Sequence, residues 1–292
     1  MSLLKQALDS GEFAVTGEIG PPKGTDISGC LSEADLINNR VTAVNVTDLQ
    51  SAVMRVGSLA VCAKLIEKGI EPVFQVTCRD RNRLALQSDA LSAWCLGIEN
   101  ILCLTGDHPF LGDHAEAKPV FDLDSVQLIK TVSGLNEGHD MGGHDLEGKT
   151  DFFVGGVVTP SADPAEPQII KMKKKIEAGA QFFQTQAVYD HDSFEEFLNK
   201  TEGLHVPVIA GIVLLKSAGM AEFMNKNVAG VHVPDALISE MRDTEKDDRK
   251  KKSVEIAAGI IEKIKPLCRG VHIMALGWES LIPDIIDSAG LS

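Results

Sequence analysis

The sequence predicts an α/β protein, a single (β/α)8 TIM barrel spanning residues 1–292. Three observations predict it. Eight short β-rich segments recur along the chain, each bounded by Gly, Pro, Asp or Asn. Helix-period stretches separate most of them, and no shift of composition marks a linker. An open doubly wound sheet is the structural alternative, because length alone does not choose between one barrel of about 250 residues and two domains of about 150. No sequence repeat of roughly 20–50 residues is evident, so the repetition is architectural.

In chain order the predicted strands are 13–19, 43–47, 72–77, 101–105, 152–158, 181–186, 208–214 and 271–276. The first stops at Ile19-Gly20-Pro21-Pro22, where two prolines cannot continue a ladder. The predicted helices between strands include 32–38, 56–68, 83–96, 125–132 and 166–177. Three of them run into a glycine, at Lys68-Gly69, Leu96-Gly97 and Ala178-Gly179, as helix C-termini prefer. The mixed-charge stretch 240–252 reads as a solvated surface helix.

Composition narrows the function. With 44% hydrophobic and 24% charged residues the chain is an ordinary globular sequence with material for a large core, which excludes disorder and fibres. A formal charge of -14 repels polyphosphate backbones, so neither nucleic acid nor an anionic membrane is expected as a partner. No apolar run approaches the ~20 residues that span a bilayer, and residues 1–10 lack a signal core, so a cytoplasmic protein is expected. The six cysteines form no Cys-x-x-Cys pair and read as reduced thiols. Aromatic content of 5% offers no stacking surface for bases.

Barrel chemistry belongs at the C-terminal ends of the strands. Polar residues predicted there are Glu18, Thr47, Asp48, Gln75, Thr77, Thr105-Gly106-Asp107, Thr159-Pro160, Gln184, Gln186 and Trp278-Glu279. Carboxylates among amides and hydroxyls suggest one proton-transfer acid and one charge that tunes a bound group. Glu18 is aimed into the mouth by the prolines after it, and its plain alternative is an exposed strand-end glutamate. Gly106 beside Asp107 permits close backbone approach, although a Gly-Asp turn is common.

Lys171, Lys173, Lys174 and Lys175 lie on the helix after the fifth strand, with Lys171 and Lys175 on one face. Such a cluster either holds a pyrophosphate or is a solvated basic face. No G-x-G-x-x-G or Walker loop occurs, so a Rossmann turn is unsupported. The two His-Asp pairs within residues 138–145 invite a metal. They precede the fifth strand, at the stability face, and read as a structural loop, so no metal site is expected.

The ordered set of Glu18 in VTGEIGPPKGTD, Thr47 in VNVTD, QVTCRDRNR, ILCLTGDHP, the helix ending KKKIEAGA and Gln186 in FFQTQAVYD resembles the methylenetetrahydrofolate reductase family. The resemblance covers nearly the whole chain. It implies an FAD-binding barrel that reduces 5,10-methylenetetrahydrofolate to 5-methyltetrahydrofolate by hydride transfer from flavin N5. Glu18 is then similar to the general acid that opens the methylene bridge, and Asp107 to the aspartate that tunes the flavin. Thr47, Gln75, Thr105, Gly106, Val157 and Thr159 take flavin-side positions. Phe121 and Asp124 resemble the positions flanking the adenosine, and Lys174 and Lys175 the FAD-contacting basic residues. Gln186 resembles the amide that reads the pterin, and Trp278 stands on the substrate side.

Four positions depart from the family pattern. Gln75 replaces a His, Thr159-Pro160 an aromatic Tyr-Pro, Leu276-Gly277-Trp278 a motif with an arginine, and the segment 214–218 lacks a stacking Phe. The last two bear on the electron donor. NADH, NADPH or a partner electron-transfer subunit fills that role, within a homo-oligomer or a hetero-complex. A flavin-free barrel for methyl transfer or folate binding is the reading from another class.

Overall fold

The computed structural model describes residues 1–291. Its strands β1 (Ala14–Ile19), β2 (Ala43–Val46), β3 (Pro72–Thr77), β4 (Asn100–Leu104), β5 (Phe153–Val158), β6 (Phe182–Ala187), β7 (Val208–Val213) and β8 (Gly270–Met274) close in sequential order into a barrel. Each strand pairs parallel with its neighbours, β8 with β1 included. The expected (β/α)8 barrel is therefore the fold, and the open sheet is excluded by the β1–β8 pairing.

The interior is layered. Helix α1 (Leu3–Ser10) packs Leu4, Ala7 and Leu8 against Ala14, Ala43, Val73, Leu102, Phe153, Phe182 and Ile209, which lie early in their strands. This apolar layer seals the N-terminal end of the barrel. The helix is fixed by its start: Ser2 accepts from Lys5 N, and the Glu71 carboxylate accepts the free N–H groups of Leu3 and Leu4. Further along the strands the inward side chains turn polar: Thr16, Glu18, Asn45, Gln75, Gln184 and His272 are all buried. The apolar seal thus confines polar chemistry to the C-terminal mouth.

Outward-facing strand residues such as Val15, Val44, Phe74 and Ile101 pack beneath helices α2 (Ser28–Ile37), α3 (Ser58–Glu67), α4 (Arg83–Cys95), α5 (Ser125–Glu137), α6 (Glu166–Glu177), α7 (His191–Thr201), α8 (Ala218–Asn227), α9 (Asp235–Asp243), α10 (Arg249–Ile264) and α11 (Ile282–Ser288). The anticipated glycine stops are left-handed, with φ of 73° at Gly69, 85° at Gly97 and 111° at Gly179. The stretch 240–252 is not one helix. The chain leaves α9 through an extended Thr244, makes a single 3-10 turn at Lys246–Asp248 and re-enters as α10. Charge periodicity alone cannot register such a break. Among the described residues no helix is long and apolar enough to cross a membrane.

Candidate active site

Glu18, the penultimate residue of β1, is 8% exposed and points inward. Register sets it beside Asn45 of β2, and one inward step below it Thr16 lies beside His272 of β8. A network follows from that geometry. Glu18 Oε2 accepts from Gln75 Nε2 at 3.3 Å and faces His272 Nε2 at 3.4 Å. Glu18 Oε1 accepts from Gln50 Nε2 at 3.4 Å, from a short 3-10 turn after β2. Below, Gln75 Nε2 also donates to Asn45 Oδ1 at 3.3 Å, and Thr16 Oγ1 lies 2.9 Å from His272 Nδ1. The nominated Glu18 and Gln75 are thus brought together. Asn45, Gln50, Thr16 and His272 were missed, and the inward alternation of β1, β2 and β8 would have found all but Gln50.

The adjoining rim is organised by buried charge. Asp48 accepts from Thr77 N at 2.8 Å, from Thr77 Oγ1 at 3.0 Å and from Arg81, which also pairs with Asp89 at 3.0 Å. Arg79, buried like Asp48, pairs with Asp80 and donates to the carbonyls of Leu49 at 3.2 Å and Asp107 at 3.4 Å. These are the first two of the three arginines of the QVTCRDRNR segment, and they tie the loops after β2, β3 and β4 together.

Gly106 sits at φ 87°, and a Cβ there would meet Thr77 Cβ at 3.0 Å and Arg79 Cβ at 3.2 Å. Only glycine lets this turn lie so close to β3. Asp107 is carried out into solvent beside it, with Thr105 exposed before it. Thr47, just past β2, is 2% exposed and its Oγ1 has no protein partner. An unpaired buried hydroxyl costs about 1–3 kcal/mol, so it calls for a polar atom from a bound molecule.

The other nominated residues distribute as follows. Phe121, half-buried at φ 40°, stacks on His108 with centroids 6.3 Å apart. Asp124 is the N-cap of α5, accepting from Gln127 N at 2.8 Å in a reciprocal capping box. The lysine run divides: Lys171, Lys173 and Lys174 are exposed, whereas Lys175 is 6% exposed and its Nζ donates to Val157 O at 2.5 Å. Burial, and then the nearby Lys171 charge, pull the Lys175 ammonium down to about 8, with Asp124 acting in the opposite sense. Gly156 makes room for that stem, since a Cβ there would lie 3.3 Å from Lys175 Cδ. Thr159 packs under Gly230.

Gln186 is half-buried near the end of β6, where the register to β7 shifts between Gln184 and Ala187. Two residues earlier Gln184 is buried with its Nε2 unpaired, a second orphan donor inside the barrel. Trp278 follows β8 after a turn with left-handed Leu276 and Gly277, and lies 5.2 Å from Lys216 Nζ and 5.8 Å from Lys250 Nζ. Lys216 donates to the Leu276 carbonyl, which braces that turn. The two His-Asp pairs of 138–145 close on each other, His139 with Asp145 at 2.9 Å and His144 with Asp140 at 3.0 Å, in the loop between α5 and β5.

A polar, amide-lined mouth with the buried Glu18 carboxylate and two orphan donors sits on a barrel whose sequence matches a known family model, methylenetetrahydrofolate reductase, over residues 3–290. The chain belongs to the methylenetetrahydrofolate reductase family. Methylenetetrahydrofolate reductase 2 of Schizosaccharomyces pombe is 25% identical over 254 residues, which are 78% of this chain and 37% of that protein. The 5,10-methylenetetrahydrofolate reductase of Salmonella typhimurium is 26% identical over 262 residues, 86% of this chain and 82% of that one. The chain therefore spans most of the bacterial family member but little more than a third of the yeast one. In fold it is similar to an uncharacterised Clostridium thermocellum protein that binds two copies of 5-methyl-5,6,7,8-tetrahydrofolic acid, with a TM-score of 0.65 at 18% identity over 100% of both chains.

Proposed function

We propose that this family member is an FAD-dependent enzyme that reduces 5,10-methylenetetrahydrofolate to 5-methyltetrahydrofolate, as one barrel domain, with Glu18 as general acid. The observation that carries this reading is the buried Glu18 carboxylate, held by two amides and an imidazole at the mouth of a barrel of this family. When bound, FAD supplies the hydride from its N5. The residues fit such a group: Thr47 Oγ1 is an unpaired buried donor, and the Gly106 turn leaves a side-chain-free edge beside the Asp107 carboxylate. Lys175 with Asp124, and Phe121, would hold the adenosine-diphosphate end, Gln75, Thr105, Val157 and Thr159 would stand on its ring side, and Lys174 is the exposed neighbour of Lys175.

Glu18 delivers a proton to N10 of the folate as the methylene bridge opens, which leaves an electrophilic carbon for the hydride. Asp107, on the exposed loop after β4 that Arg79 braces, would supply a negative charge that favours the cationic iminium form. Gln186 hydrogen-bonds the pterin edge, and Trp278 borders the substrate side.

The test is the anaerobic visible spectrum of the purified protein with FAD, before and after 5-methyltetrahydrofolate and then NADH or NADPH. Bleaching by 5-methyltetrahydrofolate is expected. Bleaching by a nicotinamide as well makes that nucleotide the donor, whereas folate-only bleaching assigns the donor role to a partner electron-transfer protein. A protein that takes up no FAD is instead a flavin-free pterin-binding barrel for methyl transfer or folate binding.

A further inference from the structure

His272 is a buried imidazole, 3% exposed, inside the barrel beneath Glu18, and no step of the proposed reaction has yet been given to it. Its surroundings fix its hydrogen. Asn45 Oδ1 accepts from Gln75, so the Asn45 group facing His272 Nδ1 at 3.4 Å is Nδ2, which only donates. Nδ1 is therefore the bare nitrogen, and the Thr16 hydroxyl, 2.9 Å away, donates to it as well. The hydrogen sits on Nε2 and is aimed at Glu18 Oε2, 3.4 Å distant.

Oε2 consequently faces two N–H donors, from His272 and from Gln75. A protonated carboxyl would leave that oxygen as the acceptor and carry its proton on Oε1, beside Gln50 at the rim.

We propose that His272 is a positioning residue for the acid: it anchors Oε2 so that Oε1 delivers the proton, and it compensates the charge left behind. The proposal rests on the folate-reducing reading. In the step concerned, the Oε1–H bond breaks, its proton forms an N–H bond at N10, and the electron pair stays on the Glu18 carboxylate. The His272 Nε2–H and Gln75 Nε2–H bonds to that carboxylate then become charge-assisted and shorten. Their length in the present structure suits bonds that tighten only as charge develops. Loss of the donor thus lowers the rate of proton delivery and leaves cofactor and folate binding in place.

The test uses full-length protein loaded with FAD and an anaerobic stopped flow that follows reoxidation of the reduced flavin by 5,10-methylenetetrahydrofolate over a range of concentrations. His272→Asn shortens the side chain and withdraws the donor from Oε2, whereas His272→Gln keeps an N–H near the Nε2 position. H272N is expected to lower the limiting rate ~10-fold or more with the half-saturating folate concentration and FAD content little changed, and H272Q to recover most of the rate. A structural role would instead lower FAD content and folate affinity in both. Thr16→Val, which leaves His272 in place without its hydroxyl partner, is expected to lower the limiting rate too, and serves should H272N fail to fold.

An unchanged limiting rate in H272N, no recovery in H272Q, or an unaffected T16V beside an unfolded H272N overturns the proposal. A wild-type protein whose flavin does not respond to folate at all overturns the reading it rests on, and is distinguishable because it needs no variant.

Discussion

Replacing Glu18 by glutamine tests the proposed acid with little disturbance of its surroundings. The amide oxygen can take the place of Oε2, where it still accepts from Gln75 at 3.3 Å and His272 at 3.4 Å. The new amide nitrogen replaces Oε1 and meets Gln50, whose own amide can turn to present its oxygen. At most one long hydrogen bond is exchanged, so the stability cost is about 1 kcal/mol or less. The chemical cost is of another order. A positioned general acid contributes about 10²–10⁴ in rate, and at about 1.4 kcal/mol per decade E18Q loses roughly 3–5 kcal/mol of transition-state stabilisation. Flavin reoxidation by 5,10-methylenetetrahydrofolate in the anaerobic stopped flow reads this loss directly, and thermal unfolding with the FAD spectrum reads the fold. A reoxidation rate within about threefold of wild type, in a variant that binds FAD normally, would refute the assignment of Glu18 as the acid.

Asp107→Asn is expected to fold normally, because the side chain is exposed and its backbone carbonyl still accepts from Arg79. Flavin reactivity should change, and unaltered rates in both half-reactions would remove Asp107 from the site. Lys175→Met should weaken FAD binding, measured by titration of the apoprotein. It should also remove a pH-dependent term: burial holds the ammonium at about 8 against its ordinary 10.5, so unfolding takes up a proton between those values and the Lys175 contribution to stability rises with pH across that window. Below it the buried charge costs about 3 kcal/mol. Buried thiols act oppositely in the same range, Cys78 being pushed up to about 12, so the quantity to read is the difference between wild type and K175M in urea unfolding at pH 7 and pH 10. A difference that does not change with pH would refute the buried-charge account. Leu4→Ala, in the plug that closes the N-terminal end, is expected to cost about 2–5 kcal/mol in the same assay with turnover intact below the transition. Asp48→Asn breaks a buried pair with Arg81 and should cost about 3 kcal/mol, with the reoxidation chemistry preserved in whatever fraction stays folded.

The barrel was legible because each strand carries its own boundary signal, and the glycine stops at Gly69, Gly97 and Gly179 are positions where backbone conformation alone selects the residue. The break between α9 and α10 was not legible, since charged residues fill exposed helices and exposed turns alike. At the site, Glu18, Gln75 and Thr47 stood out as polar residues at strand ends. His272 and Thr16 did not, for each lies one inward step below the rim, where a single polar residue in an apolar strand reads as core. Their meaning depends on β8 closing against β1, a contact between residues 256 positions apart. Lys175 likewise looked like one lysine of a basic face. Only packing against Gly156 and Val157 separates it from Lys171, Lys173 and Lys174.

Two buried carboxylates lie at neighbouring strand ends, and their partners divide the labour between them. Asp48 Oδ2 is filled by a permanent cation and by both donors of Thr77, so it joins β2 to β3 and the loop after it as a structural pair. Glu18 meets amides and one imidazole, all neutral donors in this arrangement. A fixed cation at Glu18 would favour the carboxylate throughout and oppose the protonated form that an acid needs. Purely apolar neighbours would oppose the carboxylate that remains after the proton has gone. Neutral dipoles on one oxygen meet both demands, because they tolerate the carboxyl and strengthen against the carboxylate without rearranging. The same division explains why exchanging the two environments should fail in both directions: an arginine in place of Gln75 would arrest Glu18, and a glutamine in place of Arg81 would leave Asp48 buried without its counter-charge.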